Sequence, residues 1–311
     1  MTLIKIEKRY KSKTIDQDVT RKEASDTRKN QPGFIVLTVK IPYQLKLNLD
    51  FEASFNYLAN GNLITINTSE LPDLINRGLI IPRKQLVRTI DFNARLSKHG
   101  FEVKFLPDTI QELLTQFRTS KPEIQSILRE KIREQLELLV SKYFGMTAVA
   151  FDTVYRNTGK NSTNLFKSVP LTHIDFPEQG VSKTLDVFRK QWAPRVAQRL
   201  GDKYHARDIK FMINIWMPLD YIKASPLALC ANNKIDTSRL NEYDAIRRDG
   251  TVFKAVSLTP PARKSDPWFY RPGMKGQCYL FSSTRGIHSA TEFPHEEDDR
   301  ESIEVRLGLF K

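Results

Sequence analysis

Cysteine and histidine are scarce in this 311-residue chain, which has two of the first (Cys230 and Cys278) and five of the second. Two distant cysteines build neither a disulfide framework nor a thiolate zinc set. They fit a reducing compartment, each as a small buried apolar residue on a strand. No stretch approaches the ~18 consecutive apolar residues that a membrane helix needs. Met1 to Lys13 alternates short apolar pairs with lysines and lacks a signal-peptide core. The expectation is a soluble, cytoplasmic protein with no membrane partner. Zinc-finger spacing, an RNA-binding signature, a distinct helix-turn-helix, internal repeats and low-complexity segments are all missing from the sequence.

What is present allows a sizeable core, since 40% of residues are apolar and 10% aromatic. Lys and Arg number 49 against 36 Asp and Glu, a formal charge of +13 that favours anionic partners. The basic residues are spread along the chain rather than interleaved with aromatics in one patch. They therefore read as a solvated surface, and nucleic acid is not the expected partner. A nucleic-acid-binding protein or nucleobase demethylase is kept as the alternative, as is a non-catalytic cupin-like binding protein. Composition gives no pointer to oligomeric state.

Residues 1–31 form a polar, basic arm ending at the turn signal Gln31-Pro32-Gly33. Residues 32–311 read as one domain, a helical/β part over 32–145 and a barrel core over 146–311. Phe34 to Leu49 alternates enough for two short strands, with Pro42 at an edge or bend. Asp108 is the expected cap of a helix over 109–118, with Ile110, Leu113, Leu114 and Phe117 on one face. Pro122 opens a longer helix to about Tyr143, stopped by Gly145. A third is expected from Ser182 to Leu200, kinked at Pro194. From Met146 onward the pattern shifts to short β-like runs at 146–151, 210–216, 227–230, 251–258, 278–281 and 302–310, separated by turns. Many short strands with helices outside predict an α+β fold with a double-stranded β-helix (jelly-roll, cupin-like) core.

The chemistry centres on Thr172-His173-Ile174-Asp175-Phe176. Side chains two apart on a strand share a face, so His173 and Asp175 can grip one metal ion. An imidazole and a carboxylate are two-thirds of the 2-His-1-carboxylate triad that leaves positions open on Fe(II). Alone, such a pair is as readily a surface histidine beside an acid. The third ligand must come from a distant strand, and His288 and His295 are the candidates. His288 follows an apolar strand, whereas His295 sits in an acidic loop, and a ligand needs a rigid support. Further on, Arg300, Ser302, Glu304 and Arg306 alternate with Ile303, Val305 and Leu307. A guanidinium fork beside a hydroxyl suits the distal carboxylate of 2-oxoglutarate.

These residues fall in a series that resembles the AsaB/CmcJ-like hydroxylase/desaturase family of non-haem Fe(II)/2-oxoglutarate-dependent oxygenases. The series, from about Phe55 onward, comprises Phe55-Asn56-Tyr57-Leu58, Thr89-Ile90-Asp91, His99-Gly100-Phe101 and Phe151-Asp152-Thr153-Val154-Tyr155-Arg156. It continues with His173-Ile174-Asp175, Asn214-Ile215-Trp216-Met217-Pro218, Ser225-Pro226-Leu227-Ala228-Leu229-Cys230, His288-Ser289-Ala290 and the run from Arg300 to Arg306. Each piece is loose, but their common order is specific. The sequence departs from the family pattern at Met217, Ala231, Gln277 and Thr284, none of them an expected iron ligand. The resemblance implies an Fe(II)- and 2-oxoglutarate-dependent dioxygenase of secondary metabolism, such as antibiotic biosynthesis, that uses O2 to oxidise a small-molecule substrate. It implies iron on His173, Asp175 and His288. Arg300 with Ser302 would hold the co-substrate, Arg306 being the second choice, and Asn214 would be close by. Trp216, Arg156 and Tyr155 would line the pocket.

Overall fold

A computed structural model describes residues 50–59, 65–67, 71–157, 171–177, 189–201, 208–222, 226–246, 252–261, 265–271, 274–291 and 300–311. All of these lie within one unit, Tyr43–Lys311. The basic arm, the strands expected over 34–49, the helix start expected at Ser182 and His295 fall outside the described residues.

Two sheets make up the core. The larger has nine strands: β1 (Phe51–Leu58), β2 (Thr65–Asn67), β3 (Ile80–Thr89), β6 (His173–Ile174), β8 (Leu227–Cys230), β9 (Leu240–Ile246), β10 (Val252–Leu258), β11 (Trp268–Tyr270) and β13 (His288–Ala290), in the order β1-β3-β11-β8-β13-β6-β10-β9-β2. The smaller has β4 (Phe101–Phe105), β5 (Thr147–Asn157), β7 (Ile209–Pro218), β12 (Gln277–Ser282) and β14 (Glu301–Phe310), in the order β4-β12-β7-β14-β5. Pairing is antiparallel except for β3 with β11 and β2 with β9. Strand order departs widely from chain order, as in a jelly roll, and the expected α+β double-stranded β-helix is the observed fold.

Period-two alternation on the smaller sheet assigns each residue its task. Ile303, Val305, Leu307 and Leu309 of β14 and Ile213, Ile215 and Met217 of β7 face outward into one apolar cluster. Over that face lie two helices, Asp108–Thr119 (α3) and Pro122–Phe144 (α4); two short ones, Leu71–Asn76 (α1) and Leu96–His99 (α2), precede them. The helices contribute Ile110, Leu114 and Phe117, then Leu128, Ile132, Leu136 and Val140, all buried at helical spacing. Each such side chain contributes roughly 1.5–3 kcal/mol by leaving water. Asp108 lies in the first turn of α3, with Pro107 at the cap position and no side-chain cap bond. Gly145 ends α4 in the left-handed region, φ 63°, and donates its N–H to the Ser141 carbonyl. A further helix, Arg189–Leu200 (α5), runs through Pro194. Its Arg195 and Arg199 pair with buried Glu137 of α4, which also accepts the Ala150 N–H of β5. With the outward residues committed to helices, the inward residues of β5, β7 and β14 face the larger sheet.

Candidate metal centre

β6 is two residues long, so its position depends on its neighbours. Ile174 and His173 pair with Val256 and Ser257 of β10, and His173 is also the direct partner of His288 on β13. The Thr172 N–H donates to Asn56 of β1, the Ser257 hydroxyl to the Thr172 carbonyl, and the Phe176 N–H to Ser283. On the other side, Gly286 makes the turn that delivers His288. A Cβ there would lie 2.6 Å from the Ser282 carbonyl oxygen, so no larger residue fits without movement.

One ligand atom each from His173, Asp175 and His288 converges within a mutual 4.8 Å, close to the ~4 Å that two donors bonded at ~2.1 Å can span across one ion. The imidazole rings stand 4.1 Å apart between centroids, tilted by 51°. Each ring has its Nδ1 next to a backbone carbonyl, that of Leu171 at 2.7 Å for His173 and that of Gly286 at 2.8 Å for His288. A carbonyl can only accept, so both Nδ1 atoms carry the proton and both Nε2 lone pairs are available. Burial, together with the neighbouring His288, lowers the His173 pKa to about 3, and burial lowers that of His288 also. Two neutral imidazoles and a carboxylate, oriented by second contacts, form a donor set that suits a divalent first-row cation such as iron.

Asp175 is held by other side chains. Its Oδ2 accepts from Asn214 Nδ2, and its Oδ1 accepts from Arg306 Nη2 at 3.1 Å. Burial alone would raise its pKa, but the Arg306 guanidinium and the two imidazoles bring it well below the usual carboxylate range. Arg306 also meets Asp152 at 3.0 Å and Glu304 at 2.8 Å, so one guanidinium serves three carboxylates. Its own pKa is pushed upward, the three acids outweighing burial. Asn214 donates to Glu304 as well, at 3.3 Å, and its Oδ1 accepts the Ser283 hydroxyl at 2.5 Å.

Beside the imidazoles lies a narrow cleft lined by Arg156, His173, Trp216, Leu227, His288, Ala290, Arg300 and Glu304. Arg300, just before β14, is 1% exposed, its guanidinium 5.7 Å from the Trp216 ring centroid, and Ser302 in that strand is equally buried. Several residues named from the sequence have other positions or partners. Tyr155 faces away from the cleft: neighbours on a strand point to opposite faces, so Arg156 turns inward and Tyr155 outward. The Tyr155 ring packs on Phe117 of α3, and its hydroxyl donates to Glu301. Arg306 and Asn214 lie at the centre, with the two Arg306 Nη groups on protein acids and the Asn214 amide on Asp175, Glu304 and Ser283. Glu304, Asp152 and Ser283 went unnamed as site residues, although period two already placed Glu304 on the face shared by Arg300, Ser302 and Arg306.

Fold and site together define a jelly roll with a His-x-Asp…His cluster between its sheets. A model of the oxidoreductase/YMDC permease-like domain family matches residues 85–310, and the chain belongs to that family. No helix among the described residues is long and apolar enough to cross a membrane. The chain is similar in structure to the iron and alpha-ketoglutarate-dependent endoperoxidase NvfI, at 16% identity over 84% of this chain and 98% of that one, with a TM-score of 0.64. NvfI in a different conformation matches at 17% identity over the same shares, with a TM-score of 0.63. These likenesses establish the fold. No curated protein matches in sequence.

Proposed function

We propose that this chain is an Fe(II)- and 2-oxoglutarate-dependent oxygenase that hydroxylates or desaturates a small organic substrate of secondary metabolism. The observation that carries the reading is the buried convergence of His173, Asp175 and His288, with both Nδ1 atoms already donated to backbone carbonyls. The AsaB/CmcJ-like order of motifs supports it, as does the iron and alpha-ketoglutarate dependence of NvfI on the same fold.

When bound, iron and 2-oxoglutarate supply the oxidising power: O2 gives one oxygen atom to succinate as CO2 leaves, and the second oxidises the substrate. The two Nε2 atoms and the Asp175 carboxylate would hold the metal, and no proton need leave these groups first. Arg306 and Asn214 keep the carboxylate turned to one orientation. Arg300 would hold the distal carboxylate of the keto acid through a charge-assisted fork, and Ser302, whose hydroxyl lacks a partner among the described residues, would supply another donor. Arg156 bounds the substrate side. Leu227 and Ala290 give that side an apolar wall that excludes water.

The test is an anaerobic titration of the protein with Fe(II) and 2-oxoglutarate, followed by the weak visible charge-transfer band of the chelate. The band is expected in the native protein and absent in a folded His173→Ala variant. A native protein that never develops it is not this kind of oxygenase.

A further inference from the structure

Trp216 is 1% exposed, lines the cleft, and has an indole Nε1 with no hydrogen-bond partner among the described residues. An indole nitrogen can only donate, so the missing partner is an acceptor. Buried donors are seldom left unmet, because desolvation is then uncompensated. On the cleft wall, Glu304 Oε1 meets Arg306 and Asn214, and each imidazole Nδ1 meets a backbone carbonyl. No described residue accepts from the indole, which leaves that place to a ligand.

Two neighbours say which ligand group it is. Tyr279 stacks on the indole at 5.5 Å and 27°, and the Arg300 guanidinium lies 5.7 Å from its centroid. The ring is thus fixed in orientation beside a cation. An oxyanion that forms a fork with Arg300 would enter the same cleft wall that the indole lines. Trp216 sits opposite Glu304 on β14, two residues from Asn214 at the metal ligand and two register positions from the Ser302–Pro218 pair. It occupies the interval between the metal cluster and the anion-binding groups.

We propose that Trp216 Nε1 donates a hydrogen bond to the same distal carboxylate that Arg300 binds, making it a positioning residue for the 2-oxoacid co-substrate. This rests on the oxygenase reading above. The consequence is selectivity: a 2-oxoacid with a terminal carboxylate satisfies the indole, and one ending in a methyl group strands it.

The test compares 2-oxoglutarate with 2-oxovalerate, which keeps the chelating end and lacks the far carboxylate. In Fe(II)-loaded anaerobic protein, Trp216→Phe retains the aromatic stack and is expected to weaken 2-oxoglutarate binding by about 10-fold or more, the usual worth of a hydrogen bond to a charged group. Its affinity for 2-oxovalerate stays within about 2-fold of native. A second measurement needs no variant at that position. In Zn(II)-loaded native protein carrying ¹⁵N-labelled indoles, the chain's three tryptophans give three N–H signals. The signal left after Trp192→Phe and Trp268→Phe have identified the other two should move downfield with 2-oxoglutarate and stay in place with 2-oxovalerate. Unchanged 2-oxoglutarate affinity in Trp216→Phe, an equal loss for both keto acids, or an indole signal indifferent to 2-oxoglutarate each overturns the proposal while the oxygenase reading stands. A native Fe(II) protein that binds neither keto acid overturns both.

Discussion

Replacing Arg306 with leucine removes one cation from among three acids. The Arg306 side chain is 14% exposed, and those of Asp152, Asp175 and Glu304 are 18%, 8% and 4% exposed, so none can exchange its partner fully for water. Breaking a buried ion pair by deleting one member costs about 3–5 kcal/mol, because the other charge stays behind. Three acids share this guanidinium, so the upper part of that range is expected at pH 7, against a total stability of roughly 5–15 kcal/mol. The cost must depend on pH. In the native protein Arg306 holds the Asp175 pKa below its unfolded value, so this group adds stability above about pH 4 and loses it as the pH falls. In Arg306→Leu, burial loses its largest opposing charge, the Asp175 carboxyl of the folded state takes up its proton at a higher pH than in the native protein, and the variant loses less stability than the native protein as pH falls. The gap between native and variant should therefore be widest at pH 7 and narrow by pH 5. Urea denaturation of the metal-free proteins at both pH values measures it as a shift in midpoint at constant slope. A variant within about 1 kcal/mol of native at pH 7, or a gap indifferent to pH, would refute the cage.

Two further expectations follow from the same geometry. His173 is buried neutral with a pKa near 3, so the unfolded chain takes up its proton first as pH falls. The metal-free protein should lose about 1.4 kcal/mol per pH unit from this group below pH ~6.5, read as a falling melting temperature, with a flatter profile in His173→Gln. Tyr57 donates to Asp266 at 2.8 Å and accepts from Trp268 Nε1 at 3.2 Å, all buried. Tyr57→Phe should cost about 1–3 kcal/mol in urea denaturation and leave the Fe(II)–keto acid band intact, and loss of the band would show that this network reaches the metal cluster.

Much of the site was legible because it obeys period two. His173 with Asp175, and Arg300 with Ser302, Glu304 and Arg306, share faces by spacing alone, and the first helix after Pro107 buries Ile110, Leu114 and Phe117 where 3.6-residue spacing puts them. The error with Tyr155 was avoidable on the same rule, since Tyr155 and Arg156 cannot both face one cleft. The roles of Arg306 and Asn214 were not legible, because they depend on which strands become neighbours. Asp152 and Asp175 are 154 and 131 residues away from Arg306, and a guanidinium beside a hydroxyl in sequence looks the same whether it awaits a ligand or is already held. The antiparallel β1–β3 pair is not legible as secondary structure, because a strand and a helix separate the two in the chain and Pro82 interrupts the β3 pattern.

His173 and His288 face each other across a ladder in which β6 has two residues and β13 three. Strands that short have little intrinsic register, and a slip of one residue would turn an imidazole to the opposite side of the sheet. A cation gripped by both rings would act as a rivet through the ladder, fixing alignment that hydrogen bonds alone hold weakly. Loading the metal and locking these two strands would then be one event, with amide exchange slowing at 173–175 and 288–290 together.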